Sequence, residues 1–184
     1  IFTFFDSKGG NDTLAIDLAT SHGAHYDGGA GARDTLIMDW SAAVTNIVWE
    51  DLHFEDSVFF GQQTYSYKAA TPGVADFWSV YFLNTERYEI YSGTGSDTLK
   101  GGALDDKIKV IGGFDTADMG AGVDTLIVDY SGTNAPIGSE HGGSFAFTGS
   151  PGTGYSGTYA YKFNANDGVA PRVMFTGVEK FDVT

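Results

Sequence analysis

Four aspartates recur at an interval of nine residues: Asp97, Asp106, Asp115 and Asp124. The glycines that stand two or four positions before them are Gly93, Gly95, Gly102, Gly113, Gly120 and Gly122. Glycine permits a turn in which backbone carbonyl oxygens share a groove with the carboxylates. Calcium takes six or more such hard oxygen ligands at ~2.3–2.6 Å, whereas magnesium demands a tight octahedron and keeps its waters. The spacing therefore predicts a series of Ca2+ sites.

The frame over residues 92–127 is a degenerate nonapeptide, GGxGxDxUx, in which U is a large aliphatic residue. Its first six residues predict a turn and its last three a short strand. Two nonapeptides complete one coil of a parallel roll, so successive repeats lie on opposite sides. We therefore expect Asp97 to stack with Asp115 on one side, and Asp106 with Asp124 on the other. Stacked carboxylates repel one another without a cation, so metal binding would contribute to folding.

Two fainter copies of the nonapeptide lie upstream. Residues 7–15 (SKGGNDTLA) keep Asp12 in frame, and residues 28–37 (GGAGARDTLI) bring Asp34 into frame after one inserted residue. Both aspartates are candidate calcium ligands for the same reason as the four downstream. Residues 16–26 between the two copies depart from the pattern, which predicts a short or irregular first roll.

A second, longer period runs through the chain. DTLIMDWS at 34–41 returns 90 residues later as DTLIVDYS, and VYFLNTERYEI at 80–90 is matched 93 residues later by VMFTGVEKFDV. Both ends of the repeat match in the same order, as expected of tandem units. The sequence predicts two units, 1–91 and 92–184, each a glycine–aspartate block followed by a β-rich spacer.

The spacers are rich in aromatic and β-branched residues that alternate with polar ones, which is typical of strands. Gly and Pro punctuate them at 71–73 and 150–152, and each closing strand carries an internal acid, Glu86 or Glu179. The best helical candidate, Leu14–Thr20, is short. We predict an all-β fold in which parallel β-roll turns combine with β-strand-rich spacers, with little or no helix.

Composition excludes several classes of function. The 184 residues include 10 Lys and Arg against 24 Asp and Glu, a net charge of −14, which opposes nucleic-acid binding. The absence of cysteine excludes disulfides, thiol zinc sites and a cysteine nucleophile. No apolar run approaches ~18 residues, so no membrane span is predicted. No catalytic motif stands out, so an enzyme is not expected. Both ends fall within patterned sequence, as expected of a fragment.

Other acids allow two interpretations each. Asp27 and Asp118 stand just ahead of the final glycine turn of each unit, as further calcium ligands or as solvated turn acids. Asp39 and Asp129 follow the DTLI strands, where a cap at the strand end is favoured over a peripheral calcium contact.

A second acidic group, Glu50, Asp51, Glu55 and Asp56, alternates with apolar residues. A half-exposed strand is favoured there over a second cation site or a carboxylate pair for glycoside hydrolysis. The four histidines, His22, His25, His53 and His141, are interpreted as surface or turn residues. The spacer aromatics favour a β-layer core over a sugar-stacking platform; they are Tyr65, Tyr67, Phe77, Trp78, Tyr155, Tyr159 and Tyr161.

The nonapeptides resemble those of the RTX (repeats-in-toxin), or hemolysin-type calcium-binding, family, most clearly over 92–127. In that family the aspartate at the sixth position and carbonyls of the turn hold calcium. The resemblance implies this role for Asp97, Asp106, Asp115 and Asp124, and less directly for Asp12 and Asp34. Three departures, Arg33, Leu104 and Ile111, imply fewer complete sites than aspartates.

The resemblance implies a large bacterial protein exported by a type I system to the medium or the cell surface. The expected function is a calcium-binding structural module that folds and stiffens on extracellular calcium. Its partners would be calcium ions and neighbouring repeats of the parent chain. One alternative is a calcium-scaffolded adhesin or carbohydrate-binding module for extracellular polysaccharide, and another is an accessory domain of a secreted hydrolase.

Overall fold

A computed structural model describes residues 3–19, 22–52, 64–73, 77–132, 144–160 and 171–184. These ranges hold sixteen strands and no helix, which confirms the all-β class. The strands are β1 (Thr3–Asp6), β2 (Thr13–Asp17), β3 (His22–Asp27), β4 (Thr35–Asp39), β5 (Ile47–Leu52), β6 (Thr64–Ala70), β7 (Phe77–Leu83), β8 (Arg87–Tyr91), β9 (Thr98–Lys100), β10 (Lys107–Val110), β11 (Phe114–Asp118), β12 (Thr125–Val128), β13 (Ser144–Ser150), β14 (Gly154–Ala160), β15 (Arg172–Val178) and β16 (Lys180–Val183). In this part of the chain no helix is long and apolar enough to cross a membrane.

The strands form two sheets, and the chain alternates between them. The six-stranded sheet has the order β16-β12-β10-β8-β4-β2, and all its neighbours are parallel. The ten-stranded sheet has the order β1-β3-β7-β6-β5-β9-β11-β15-β14-β13. Wherever a nonapeptide supplies the strand, one coil places one strand in each sheet. This is the connectivity of a parallel β-roll.

The spacers enlarge only the ten-stranded sheet. Strands β5, β6 and β7 form an antiparallel meander, whose outer strands pair in parallel with β9 and β3. Strands β13, β14 and β15 repeat this arrangement beside β11. The long sequence RVMFTGVEKFDV is therefore two strands, β15 and β16, which lie in different sheets.

The first roll has an irregularity within residues 16–26, as predicted. Strand β3 lies between β1 and β7, with a register shift between His22 and Ala24. The helical candidate does not form a helix, because Thr13–Asp17 is a strand with a strictly alternating burial pattern. Leu14 and Ile16 face the core at the two-residue period of a strand.

The core lies between the two sheets. Aliphatic residues from five strands of the six-stranded sheet fill it, and Leu36, Ile90, Ile108 and Leu126 are fully buried. These are the U positions of the nonapeptides and their counterparts in β4 and β8. The sixth strand, β16, contributes the partly buried Phe181. One cluster of buried residues runs through both units, from Leu14 to Val178.

Both sheets are continuous across the boundary between the two units. Strand β8 of the first unit pairs with β10 of the second, and β5 pairs with β9. The predicted units 1–91 and 92–184 therefore share one core in this structure.

A buried tyrosine joins the first meander to the roll. The Tyr67 hydroxyl donates a hydrogen bond to the Lys100 carbonyl oxygen and accepts one from the Lys100 N–H at 3.0 Å. Its ring is fully buried and stacks on Phe82 at 5.7 Å between centroids. One side chain thus satisfies both backbone groups of a residue at the end of β9.

We expect Tyr67→Phe to lower the free energy of unfolding by about 1–2 kcal/mol, because both Lys100 backbone groups lose their partner. Chemical denaturation measures the change. Tyr91→Phe is the matched control, since the partly buried Tyr91 hydroxyl contacts the side chains of Lys107 and Glu89. Equal losses from both variants would contradict a specific role for the buried hydroxyl.

Candidate metal centre

Carboxylates stack along one side of the roll as the nine-residue period predicts. Oδ1 of Asp115 accepts the backbone N–H of Asp97 at 2.9 Å. Oδ1 of Asp97 in turn accepts the N–H of Ile47, the first residue of β5, at 2.7 Å. Each carboxylate therefore holds the backbone of the preceding coil. We call this series, Asp97 and Asp115, the short ladder.

A longer series of carboxylates runs along the opposite side of the roll. Oδ1 of Asp124 accepts the N–H of Asp106 at 2.7 Å, and Oδ1 of Asp34 accepts the N–H of Asp12 at the same distance. Oδ1 of Asp106 accepts the N–H of Tyr88 at 2.6 Å. The predicted stacking of Asp106 with Asp124 is confirmed.

Two glutamates complete this long ladder, and sequence reasoning missed their role. Glu86 accepts the N–H of Asp34 at 2.9 Å, and Glu179 accepts the N–H of Asp124 at 2.8 Å. Both acids stand just before a strand of the six-stranded sheet, where the other coils have aspartate. The sequence feature that could have identified this role is that both glutamates occupy the same position in the closing strand of each unit. The long ladder is Asp12, Asp34, Glu86, Asp106, Asp124 and Glu179.

The second oxygen of most ladder aspartates has no hydrogen-bond partner. Buried Oδ2 atoms without one belong to Asp12, Asp34, Asp97, Asp115 and Asp124. The Oδ2 of Asp106 instead accepts the N–H of Gly102 at 2.5 Å. Buried carboxylate oxygens without a partner are costly, so these atoms call for a cation or a proton.

In the glycine turns, backbone carbonyl oxygens lie close to these carboxylate oxygens. A Cβ at Gly31 would collide with both the Gly10 carbonyl oxygen and Oδ2 of Asp34. A Cβ at Gly101 would likewise meet the carbonyl oxygen of Met119 and Oδ2 of Asp106. Carboxylate and carbonyl oxygens therefore converge at these turns.

The predicted glycines stand where consecutive turns touch. A Cβ on any of them would overlap a carbonyl oxygen of the preceding turn, as it would at Gly93, Gly95, Gly102, Gly113, Gly120 and Gly122. Gly113 and Gly120 also have φ of +86°, a conformation that L-residues avoid. The carbonyl oxygen that faces Gly122 belongs to Leu104, one of the departures from the pattern.

Burial raises the pKa of the ladder carboxyls. The pKa is raised to about 6 for Asp97, about 7 for Asp106, about 8 for Asp115 and about 6 for Asp124. Loss of hydration is the largest cause for all four, and backbone hydrogen bonds oppose it. The charge of Asp97 further raises the pKa of Asp115, and that of Asp124 raises the pKa of Asp106. Without a cation, Asp106 and Asp115 are protonated to a large extent near pH 7.

The ladder fits calcium only if the backbone supplies ligands. Among the described residues, no group of three or more acidic or histidine side chains lies close enough to hold a metal ion. A cation beside a ladder carboxylate would therefore depend on turn carbonyls, which are the ligands that the nonapeptide predicts. The unpaired Oδ2 atoms and the crowded carbonyl oxygens meet that requirement.

Asp27 and Asp118 have other neighbours. Oδ1 of Asp27 accepts the N–H of Gly29 at 2.9 Å and the Asn84 side-chain amide at 2.8 Å. Asp118 is exposed and accepts the Thr176 hydroxyl at 3.0 Å. Asp27 therefore stabilises a turn, and Asp118 contacts a residue of the neighbouring strand β15.

Asp39 and Asp129 cap the ends of β4 and β12. Oδ1 of Asp129 accepts the N–H of Ser131 at 3.2 Å and its hydroxyl at 2.5 Å, and Asp39 does the same with Ser41. The Lys109 ammonium, 2.8 Å from Asp129, lowers the pKa of that carboxyl to about 2. The predicted role as strand caps is confirmed.

The second acidic group is only partly described. Glu50 lies in β5 and pairs with Lys68 of β6 at 2.8 Å, so it belongs to a half-exposed strand as predicted. Glu55 and Asp56 lie outside the described residues, as do His53, His141 and Tyr161. His25 stacks on Tyr81 at 4.8 Å between centroids, and burial lowers its pKa.

Most spacer aromatics belong to the core, as predicted. Tyr67 is a fully buried member of the core. Four partly buried rings pack against this core: Tyr65, Trp78, Tyr155 and Tyr159. Phe77 is the exception, with 55% of its surface exposed.

No family model matches this chain, and no curated protein resembles it at a significant level. The likeness to RTX repeats therefore stays a prediction from the nonapeptides.

The raised pKa values predict how the metal-free protein responds to pH. A carboxyl whose pKa is higher in the folded than in the unfolded state stabilises the fold when it is protonated. That stability is fully present below the unfolded value of 3.8 and is lost as pH rises through about 6 to 8. With divalent ions chelated, we expect a higher free energy of unfolding at about pH 5.5 than at about pH 8. Urea denaturation across this range measures it, and equal stability at both pH values would contradict the buried ladder.

Proposed function

We propose that this chain is a calcium-binding structural module of a secreted or cell-surface protein, and that it folds and stiffens on extracellular calcium. One observation carries the proposal: buried carboxylates stack beside glycine turns, and their second oxygens have no partner. The module has no catalytic role in this proposal. It is a repeat of the RTX type by the resemblance of its nonapeptides.

The residues that would hold calcium are the ladder aspartates and the carbonyls of the turns that face them. Asp97 and Asp115 would serve one side of the roll, and Asp106 and Asp124 the other. Asp12 and Asp34 would serve the first coil. The ion would supply positive charge where the fold has placed several negative charges out of water. The Oδ1 atoms already accept hydrogen bonds from backbone N–H groups, so each carboxylate is held in place before an ion binds.

Affinity argues for an extracellular setting. Sites built largely from carbonyls and single carboxylates suit the weak class, with dissociation constants of about 0.1–1 mM. Such sites would be filled at millimolar calcium and empty in the cytoplasm. Without the ion, the ladder carboxylates would ionise as pH rises in a chain whose net charge is already −14. The chain would then lose much of its stability at neutral pH.

A calcium titration of metal-stripped protein tests the proposal. Ten millimolar calcium should stabilise the fold by about 1.4–2.7 kcal/mol for each weak site, which raises Tm by about 3–10 °C per site. Far-UV circular dichroism and calorimetry measure the change at about pH 7.5, which is above the pKa of Asp97, Asp106 and Asp124. Magnesium at the same concentration is the control. A Tm that both ions raise equally, or neither raises, would overturn the proposal.

Asparagine substitutions separate calcium binding from the structural hydrogen bond. Asp115→Asn and Asp124→Asn can keep the Oδ1 acceptor but remove the charge that a cation needs. We expect each to reduce the calcium-induced rise in Tm while leaving the metal-free Tm unchanged or higher. Asp39→Asn is the matched control, because that carboxylate is exposed and accepts the N–H and hydroxyl of Ser41 rather than a backbone N–H of another coil. A full calcium response in both ladder variants would exclude these sites.

A carbohydrate-binding role is a second proposal, supported by one cleft. Trp49, Asp51, Tyr65 and Lys100 line a cleft of about 320 Å³ beside the glycine turn at 101–103. Trp49 and Tyr65 are stacked, with 5.6 Å between ring centroids. Aromatic faces beside charged groups are the usual means of binding a sugar ring. Extracellular polysaccharide would be the partner.

Polysaccharide pull-down and glycan-array binding test this role. Trp49→Ala should abolish retention, whereas Phe77→Ala, which removes an exposed ring outside the cleft, should not. Thermal melts with calcium confirm that both variants are folded. Failure of the wild-type protein to bind any glycan would remove this proposal and leave the calcium proposal intact.

A further inference from the structure

A cleft of about 460 Å³ opens beside the long ladder. Three consecutive coils line it: Arg33 and Thr35 in the coil of β4, Arg87 at the start of β8, and Leu104 and Asp105 just before β10. In the six-stranded sheet β10, β8 and β4 are adjacent and all three are interior strands. The cleft therefore lies in the middle of the roll, and its size is in the range of small-molecule sites.

Two of the three departures from the nonapeptide pattern meet in this cleft. Arg33 stands where one residue is inserted before Asp34, and Leu104 stands two positions before Asp106, where the pattern has glycine. The two departures come from different units of the sequence. The repeat is thus broken on both sides of the same cleft.

Positive charge is concentrated in this cleft. The chain contains three arginines, and two of them, Arg33 and Arg87, line it. Like charges that share a cleft repel each other. In a chain with a net charge of −14, an arginine pair is expected to be neutralised by neighbouring acids, so the partners of each guanidinium group are informative.

The Arg87 guanidinium group is held in place but is only partly used. Its Nε donates a hydrogen bond to the Asp105 carbonyl oxygen at 3.0 Å, and its Nη2 donates one to Oε1 of Glu89 at 2.7 Å. A guanidinium group has five N–H donors, so these bonds fix its plane and leave further donors for a ligand.

The Arg33 guanidinium group is exposed, and within the described part of the chain it has no ion-pair partner. Asp105 lines the same cleft, but its Oδ1 accepts the N–H of Val123 in the following coil at 2.9 Å. The acid is thus engaged with the backbone, and the donors of Arg33 are open to a ligand.

We propose that this cleft binds an oxyanion, a carboxylate or sulfate group, between the guanidinium groups of Arg33 and Arg87. Each planar guanidinium group can present two parallel N–H donors, which match two oxygens of either anion. The bound anion also removes the repulsion between the two arginines. The site uses cationic donors rather than carboxylate oxygens, so it is independent of the calcium sites and of the aromatic cleft at Trp49.

The oxyanion is either a free ion of the medium or the acid group of a sugar, and two probes separate these sources. Inorganic sulfate and D-glucuronate are titrated into folded protein at millimolar calcium, with D-glucose as the uncharged control. Calorimetry and two-dimensional NMR measure the binding. We expect dissociation constants of about 1–10 mM at low salt, which rise in about 150 mM chloride because screening weakens the ion pairs.

Each result of this titration has a defined meaning. Tighter binding of glucuronate than of sulfate assigns the site to a sugar acid, and equal or tighter binding of sulfate assigns it to a free anion. Binding of neither anion at low salt, or equal binding of glucose, overturns the proposal, whatever the calcium response of the protein.

Arginine variants locate the binding. Arg33→Gln should weaken it at least about tenfold, and Arg33→Lys should restore only part of the affinity because lysine keeps the charge without the planar fork. Arg172→Gln is the matched control and should bind normally. It removes the third arginine, which lies in the other sheet with its guanidinium group 4.7 Å from the centre of the Phe114 ring.

Two outcomes exclude this site: wild-type affinity in Arg33→Gln, or an equal loss in Arg172→Gln, which would show a response to net charge alone. Any capture of calcium by the added anions would affect all variants alike, so the comparison separates it from binding in the cleft. Circular dichroism verifies the fold of each variant, and Arg87→Gln replaces any Arg33 variant that fails to fold.

Discussion

The fold depends on a side-chain carboxylate that accepts a backbone N–H from the preceding coil. Some backbone hydrogen bonds join consecutive turns, such as that from the Ala121 N–H to the Gly102 carbonyl oxygen at 3.0 Å, and the carboxylate bond adds a second link. The carboxylate of Asp124 holds Asp106 in this way, and that of Asp115 holds Asp97. Such a bond sets the register of the coils at both sides of a thin, two-layer core. The same bond requires charged groups to be buried.

The hydrogen bond by itself does not account for the use of aspartate. An asparagine could accept the same N–H and would bring no charge into the interior. Five ladder aspartates instead have a second carboxylate oxygen without a hydrogen-bond partner. Burial raises the pKa of one of them, Asp115, to about 8. A carboxylate is the better choice only where a cation neutralises it. The physical cost of the ladder is therefore the reason to expect calcium, independently of any resemblance between sequences.

The sequence allowed the ladder to be predicted where the period is strict. Nine residues per half coil place Asp97 beside Asp115 and Asp106 beside Asp124, and the aliphatic U positions become the core. Glu86 was not predicted as a ladder member, because a three-stranded meander separates it from the preceding repeat. Strand β3 was missed because its coil lacks the glycine turn. In both cases contacts with residues distant in sequence determine the structure, and the local sequence pattern does not reveal those residues.

The meanders explain how a degenerate repeat supports a continuous core. Each adds a broad antiparallel layer to one sheet only, and large aromatic side chains such as Tyr67 and Phe82 fill the space that the short nonapeptide strands leave. The six-stranded sheet continues past the insertion without interruption, since β8 takes the place of a nonapeptide strand. Because every unit contacts only its neighbours, stability in such an array grows with each internal junction. Within the described residues the two units share one such junction, which β8 and β10 form in one sheet and β5 and β9 in the other.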